Sequence, residues 1–246
     1  SGIITDALRQ IGCNLFTNNT AIEIRAENRK QSKERRKAKE VVLKDKKRIP
    51  CDLVIVAVGV KPNIKLTKNT PIKTNKGILV DKFLQTNVKN VYAAGDCSEA
   101  MDTVLGANRV LAIWPVALRQ GKLAGYNMSQ GKKQQYLGGL AMNAVELCAL
   151  PTISVGLTNL QEKNCQSVEV FDKAKSIYKK LVLKDNKIVG AILVGNIERA
   201  GIYTGLIKDK VDVSAFQDAL LEKDFGLVYL PKEYRKHLVA REAAII

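Results

Sequence analysis

The stretch NVYAAGDC at positions 90–97 decides how the rest of this sequence is interpreted. It predicts a short buried strand over Val91–Ala94 that runs directly into Gly95 and Asp96. Glycine lets a backbone approach a ligand closely, and an aspartate carboxylate accepts hydrogen bonds from hydroxyl groups. On these residues alone, an aspartate that caps a turn after a buried strand is the simpler interpretation. The surrounding sequence favours a ligand contact instead.

The sequence on either side of this stretch supplies a strand and a helix. Gly77–Val80 predicts a short strand, and Trp114–Met128 has the apolar spacing of a helix. Pro115 suits the first turn of that helix, where its missing N–H costs nothing. Gly121 and Gly125 would weaken an isolated helix, so we expect them to form a smooth face against which another backbone packs closely.

The first sixty residues have the pattern of the later part of an α/β unit. Ile3–Ile11 predicts a helix that ends at Gly12, and Cys13–Thr17 predicts a short strand. Cys51–Val58 is a continuous, largely β-branched run, typical of a strand buried on both faces of a parallel sheet. Pro62 then predicts a break in the chain.

From about residue 137 the pattern becomes that of an α+β domain. A hairpin turn is predicted at Asp185-Asn186, and Leu140–Leu150 is interpreted as domain linkage. The predicted strands are Ile153–Leu157, Ser167–Phe171, Ser176–Leu183 and Lys187–Val194, and the predicted helices are Gly201–Lys208 and Val213–Glu222.

The chain has 246 residues and a formal net charge of +16. Much of that charge lies in Arg29–Lys39 and Lys44–Arg48, around the predicted strands Ala21–Ala26 and Glu40–Asp45. Aromatic residues are only 5% of the chain and are not interleaved with the basic run, so few rings are available to stack on nucleic-acid bases. A solvated hairpin is therefore favoured over a nucleic-acid site, although polyanion binding through Arg29–Arg48 stays an alternative.

The cysteines and the apolar runs indicate in which cellular compartment the protein is expected. No CxxC pair, metal-ligand spacing or disulfide pattern occurs, which predicts no metal site and a reducing, cytoplasmic location. Cys97 is expected to be a packed thiol rather than a redox group. No apolar run approaches the roughly 20 residues of a membrane span. The five cysteines are Cys13, Cys51, Cys97, Cys148 and Cys165.

Several motifs together resemble one family. DLVIVAVGVKPN at 52–63 is similar to the segment that leaves the NAD-binding domain of flavoproteins with two dinucleotide-binding domains. GILVD at 77–81 and TNVKNVYAAGD at 86–96 resemble the second FAD fingerprint of the pyridine nucleotide-disulfide oxidoreductase superfamily. The tail at 187–203 is similar to the branch of NADH:rubredoxin reductases and nitrite reductase large subunits.

The resemblance implies an α/β fold made of incomplete tandem Rossmann-like portions followed by an α+β interface domain. Residues 1–62 would be the C-terminal part of an NAD(P)-binding domain and 63–135 the C-terminal part of an FAD-binding domain. Residues 136–246 would form an α+β interface or dimerisation domain.

The resemblance also implies roles for individual residues. Asp96 matches the aspartate that bonds the ribityl chain of FAD, and Gly95 matches the glycine that permits this approach. Trp114, Pro115 and Val116 match the start of the helix whose N-terminal amides face the flavin pyrimidine edge, where free N–H groups favour negative charge. The chemistry would be hydride transfer from NAD(P)H to FAD, with electrons passed to rubredoxin, a disulfide, oxygen or a similar acceptor.

One departure from the family limits this reading. No GxGxxG phosphate loop occurs anywhere in the sequence. We therefore expect a C-terminal portion that is inactive alone and needs an N-terminal half, supplied by the same or a separate polypeptide. A homodimer through the last domain, and a redox protein or small-molecule acceptor, would complete the set of partners. A non-catalytic interaction module of the same fold is the alternative.

Overall fold

The computed structural model describes residues 2–27, 37–129, 134–159 and 164–240. Most of the basic run Arg29–Lys39 lies outside these residues, and with it the first part of the proposed polyanion segment Arg29–Arg48. Packing divides the chain into two units, one spanning Ile4–Val60 and the other Lys61–Ile246, with residues 1–3 shared between them.

The first unit contains one helix and a small antiparallel sheet. Helix α1 is followed by Gly12, whose φ of +86° is a left-handed conformation typical of a helix C-terminus, so the predicted stop is confirmed. The three strands are arranged in the order β1-β2-β3, and β2 begins two residues before the predicted segment. The elements are α1 (Gly2–Gln10), β1 (Ala21–Ala26), β2 (Ala38–Leu43) and β3 (Arg48–Pro50).

Two predicted strands of this unit are wrong. Cys13–Thr17 and Cys51–Val58 form no strand, and Leu53, Ile55 and Val58 are 75%, 82% and 89% exposed. A β-branched run favours an extended backbone, but a strand forms only when a neighbour satisfies its N–H and C=O groups. Within the part of the chain that the structure describes, the Cys51 N–H donates to the Lys39 carbonyl of β2, but no strand pairs with residues 52–58.

The second unit begins with the elements that carry the Gly95–Asp96 turn. Strand β4 (Ile78–Leu79) lies parallel to β5 (Ser98–Asp102), and β6 (Ala107–Arg109) lies antiparallel to β5. Val91–Ala94 forms a single isolated bridge, between Gln85 and Tyr92, so the predicted strand there is wrong.

Helix α2 (Trp114–Ser129) confirms the predicted helix. Its buried residues Val116 and Leu123 lie on the face that points into the protein. The close packing expected at Gly121 and Gly125 is not found, because a Cβ atom on either glycine would meet nothing within 4 Å. The glycine face of α2 has no partner among the described residues.

A five-stranded antiparallel sheet forms the remainder, in the order β7-β8-β11-β10-β9. The predicted hairpin turn at Asp185-Asn186 is confirmed, with both φ angles positive as a type I′ two-residue turn requires. Leu140–Leu150 is not linkage, because it contains an edge strand and a second turn at Cys148-Ala149. The strands are β7 (Met142–Leu147), β8 (Leu150–Gly156), β9 (Cys165–Asp172), β10 (Ile177–Lys184) and β11 (Lys187–Val194).

Helix α3 (Ala200–Lys208) packs its buried residues against this sheet and forms the larger core. The predicted helix over Val213–Glu222 is instead a 3-10 segment, Ser214–Leu221, in which Phe216 (φ −143°) departs from helical geometry. Helix α4 (Lys232–Ala240) follows. Within the described ranges, no helix combines the length and the apolar composition that crossing a membrane requires.

The core makes stability sensitive to alkaline pH through Tyr203. Its buried hydroxyl donates a hydrogen bond to the Leu220 carbonyl at 2.6 Å, and burial raises the pKa of the phenol to about 12. Because this pKa lies above the unfolded value near 10, the stability from the neutral phenol is complete below pH 10 and is lost as pH rises through 12.

We therefore expect Tyr203→Phe to flatten the fall in the free energy of unfolding between pH 10 and 12. Denaturant melts at several pH values measure this, and Tyr126→Phe, at a partly exposed tyrosine, is the matched control. An alkaline loss of stability that Tyr203→Phe leaves unchanged contradicts the assignment.

Candidate functional site

The candidate site is built on a tight turn that presents one carboxylate to the surface. Ala94 is extended, and Gly95–Cys97 then forms a single 3-10 turn. Gly95 has a φ of +81°, a conformation that residues with a side chain rarely adopt, so the local backbone requires glycine here. The turn leaves Asp96 exposed, and no described residue bonds or pairs with its carboxylate.

The turn is held against α2 by the buried side chain of Gln120. The Gly95 N–H donates to Gln120 Oε1 at 2.8 Å, and the Ser98 hydroxyl lies 2.8 Å from the same oxygen. Gln120 Nε2 donates to the Tyr136 hydroxyl at 3.2 Å. Only 3% of Gln120 is exposed, so these bonds satisfy an amide that would otherwise be costly to bury.

The other side of the turn is fixed by a second buried polar residue. Glu99 accepts hydrogen bonds from the Gly77 N–H at 2.9 Å and from Asn75 Nδ2 at 3.1 Å. A Cβ atom on Gly77 would lie 2.9 Å from the Cys97 carbonyl oxygen, so the loop can approach the turn only with glycine there. Cys97 lies 3.6 Å from the Ala94 carbonyl through its Sγ and packs against the buried cluster, which confirms the packed thiol.

Helix α2 begins next to this turn. A Cβ atom on Gly95 would lie 3.6 Å from the Cβ of Ala117, in ordinary contact with the first turn of α2. Trp114 is 80% exposed and Pro115 is also exposed, whereas the Val116 side chain is buried in the core. Of the three residues predicted at the helix start, Val116 therefore offers only its backbone to a ligand.

The expected row of free amides at the start of α2 is wrong. The N–H groups of Val116 and Ala117 both donate to the Ile113 carbonyl, at 3.1 and 3.0 Å, and Pro115 has no N–H. Shared acceptors of this kind are common at helix termini. In the described part of the chain, the Trp114 amide is the donor of this first turn that has no acceptor. The helix dipole remains, with its positive end beside the Asp96 turn.

Sequence reasoning missed Gln120 and Glu99 because glutamine and glutamate are usually surface residues. The available signal was position: Gln120 lies four residues after Val116 and three before Leu123, on the apolar face of α2. The structure places Gly95 against the first turn of α2, and it leaves the side chains of Asp96 and Trp114 exposed. In the described ranges, no group of histidine, cysteine, aspartate and glutamate residues could hold a metal ion.

Comparison with known proteins relates both halves of the chain to one group. Residues 1–121 match the sequence model described as pyridine nucleotide-disulphide oxidoreductase. Residues 143–211 match the model of the rubredoxin NAD+ reductase C-terminal domain.

Two relatives from Bacillus subtilis (strain 168) cover most of this chain. The assimilatory nitrate reductase electron transfer subunit is 31% identical over 76% of this chain and 24% of its own length. The nitrite reductase [NAD(P)H] is 32% identical over 70% of this chain and 20% of its own length. The chain thus spans less than a quarter of these curated relatives.

A solved structure shares the fold. An FAD-dependent pyridine nucleotide-disulphide oxidoreductase from Desulfovibrio vulgaris matches 98% of this chain and 60% of its own, with a TM-score of 0.77. At 22% identity, this likeness concerns the fold alone.

The Gln120 contacts predict a local and a global effect. Gln120→Leu leaves the Gly95 N–H and the Tyr136 hydroxyl without their partner, so we expect the free energy of unfolding to fall by about 1–3 kcal/mol. Hydrogen exchange at the Gly95 amide should accelerate. Gln166→Leu, on an exposed position of β9, is the control. Unchanged protection of the Gly95 amide in Gln120→Leu would contradict the arrangement.

Proposed function

The chain belongs to the pyridine nucleotide-disulphide oxidoreductase family, and on that premise we propose that it is part of an FAD-dependent NAD(P)H oxidoreductase. The observation that carries this proposal is the Gly95–Asp96 turn beside the start of α2. It joins an exposed, unpaired carboxylate, a glycine backbone and the positive end of a helix on one surface.

The chemistry of these groups fits a flavin dinucleotide. The Asp96 carboxylate accepts hydrogen bonds from ribityl hydroxyls, and Gly95 leaves room because it has no side chain. The Trp114 amide and the dipole of α2 stabilise negative charge on the pyrimidine edge of the flavin. Pro115 and the Val116 backbone shape the same helix start. When bound, the flavin accepts a hydride from NAD(P)H and passes electrons onward.

The electron acceptor is a redox protein or a small molecule. The names of the relatives point to different acceptors, since one is an electron transfer subunit of nitrate reductase and the other a nitrite reductase. The domain model over residues 143–211 is named for a rubredoxin reductase. Rubredoxin, a disulfide, oxygen and a partner redox centre are therefore the acceptor classes that the proposal includes.

The active protein also contains an N-terminal half, on the same or a separate polypeptide, and the chain alone is inactive. The exposed apolar run Cys51–Val58 supports this, because a partner strand would satisfy its backbone and cover its side chains. Within this assembly the chain divides at residues 62 and 135 into parts of an NAD(P)-binding domain, an FAD-binding domain and an interface domain. The packing break at Val60 supports the first division.

The exposed face of α2 supports the same partner. Trp114, Leu118, Gly121, Gly125 and Met128 follow one another at spacings of four, three, four and three residues, so they lie on one side of the helix. All five are exposed, and a Cβ atom on either glycine would meet nothing within 4 Å. Apolar side chains at both ends and a smooth centre suit the close approach of another helix. We name these five residues the α2 seam.

The edge strands of the last domain support a homodimer. Strands β7 and β9 are the edges of the five-stranded sheet, and Val145 and Phe171 on them are exposed apolar residues.

The cysteines support a cytoplasmic location. All five are free, as expected in a reducing compartment.

The flavin assignment predicts a specific loss of affinity. Combined with its N-terminal half, the chain should bind FAD and become yellow, whereas alone it should stay colourless. Asp96→Ala removes the acceptor of the ribityl hydroxyls, so we expect FAD affinity to fall by about tenfold to a hundredfold. Titration of the flavin absorbance measures the dissociation constant.

Asp218→Ala, at an exposed aspartate of the 3-10 segment, is the matched control and should bind FAD like the unchanged protein. Equal FAD affinity in Asp96→Ala, or a combined preparation that binds no FAD, contradicts the assignment.

The α2 seam predicts where the N-terminal half binds. Leu118→Asp places an unpaired carboxylate in the buried contact, so association should weaken by about 2 kcal/mol or more, roughly thirtyfold. Leu227→Asp is the control, because Leu118 and Leu227 are 54% and 53% exposed. Isothermal titration calorimetry compares the two variants. Equal affinities would exclude the α2 seam from the interface.

A further inference from the structure

A cleft runs between one side of α2 and the end of α3, away from the α2 seam. Two adjoining cavities of about 360 and 340 Å³ share Thr103, Arg119, Gly138 and Lys208 as lining residues. Each volume lies in the range of small-molecule pockets. We name the first cavity the β7 lobe, because Met142 and Ala144 line it.

The β7 lobe combines apolar walls with two cations. Val116, Leu140 and Met142 contribute apolar surface, and Arg119 and Lys208 are the charged residues that line it. Among the described residues, no carboxylate lines this lobe. The neighbouring lobe instead contains Asp209, which accepts a hydrogen bond from the Tyr234 hydroxyl at 2.8 Å. Both lobes contain the two cations, but Asp209 offsets part of their charge in the neighbouring lobe, so an anion is attracted more strongly to the β7 lobe.

The two cations are available to a ligand. Neither Arg119 nor Lys208 forms an ion pair with any residue that the structure describes. The fully buried carboxylate of Asp102, adjacent in sequence to Thr103, is already paired with Arg109 and accepts the amides of Val104 and Leu105. Asp102 thus has its own partners and does not neutralise the lobe.

Glycine keeps the floor of the cleft open. Gly138 has a φ of +107°, and a Cβ atom there would lie 2.6 Å from Thr103 Oγ1. The backbone at this point can therefore approach Thr103 only because position 138 lacks a side chain.

We propose that the β7 lobe binds a small amphipathic anion, with a carboxylate or phosphate between Arg119 and Lys208 and an apolar body against Val116, Leu140 and Met142. Charge-assisted hydrogen bonds hold the anionic group, and burial of apolar surface holds the body. Asp96 and Trp114 do not line the lobe, whereas Pro115 and Val116 do, so the lobe shares one wall with the helix start that is proposed to face the flavin.

The site adjoins the contacts that hold the flavin turn. Tyr136 lines the neighbouring lobe and accepts the hydrogen bond from Gln120 Nε2. Arg119 lines the same lobe as Tyr136. Burial raises the pKa of the Tyr136 phenol, and the Gln120 hydrogen bond and the Arg119 charge lower it to a smaller extent. A bound anion that draws Arg119 toward itself therefore acts next to the Tyr136–Gln120 contact.

The test uses octanoate as the probe and the isotope-labelled 246-residue chain. In an NMR titration we expect saturable shifts at the amides of Leu140, Met142 and Ala144. Octan-1-ol, which keeps the apolar body but lacks the charge, should bind at least fivefold more weakly. Octyl phosphate, compared with octanoate, shows which anionic group the pair of cations prefers.

Substitutions in the β7 lobe distinguish octanoate binding at this site from non-specific binding. Arg119→Gln and Lys208→Gln should each weaken octanoate binding by about fivefold, and Ala144→Phe, which fills the lobe, should abolish it. Lys122→Gln, at an exposed lysine of α2 outside the cleft, should bind octanoate like the unchanged chain. Circular dichroism establishes that each variant is folded.

Three results would overturn the proposal: equal binding of octanoate and octan-1-ol, unchanged binding by the Arg119→Gln, Lys208→Gln double variant, or displacement of octanoate by FAD in the combined protein. The last result would assign the lobe to the cofactor site. Failure of the combined protein to bind FAD would contradict the proposed function but leave the octanoate result for the chain unaffected.

Discussion

The hydrogen bonds of Gln120 are the constraint on which the candidate site depends. A buried amide is stabilising only when its oxygen and nitrogen are both bonded, and here the oxygen bonds the Gly95 N–H while the nitrogen bonds the Tyr136 hydroxyl. This one side chain ties the turn, α2 and the neighbouring loop together. With the turn fixed in this way, Asp96 points outward beside the start of α2. The position of the carboxylate is a consequence of core packing rather than of the loop itself.

Local signals allowed much of the fold to be predicted. The Asp185-Asn186 turn, β11 and α2 depend on turn chemistry and apolar period, which are properties of short segments. Cys51–Val58 could not be predicted in the same way, because a strand also needs a neighbour that the segment itself does not encode. Strand β7 was missed for the opposite reason: its side chains are mostly exposed, so it lacks the apolar alternation of a half-buried strand, and its pairing with β8 defines it.

In the candidate site, the local properties that follow from residue type agree with the structure. Gly95 adopts a left-handed conformation and Asp96 is exposed, as glycine and aspartate at a presenting turn should be. Val116 is buried, because the helical period that starts α2 turns its side chain into the core. Gln120 was missed because its role arises from three partners that are distant in sequence. The β7 lobe likewise combines residues from α2, β7 and α3, so no single segment of sequence could indicate it.

The central claim is that a flavin binds at the Asp96 turn and the start of α2, and Trp114 reports on it directly. Trp114 is the only tryptophan of the chain, is 80% exposed and begins the helix. The decisive measurement is its fluorescence during FAD titration of the chain combined with its N-terminal half. We expect quenching that saturates at one FAD per chain. Stoichiometric FAD binding that leaves the Trp114 emission unchanged would contradict it.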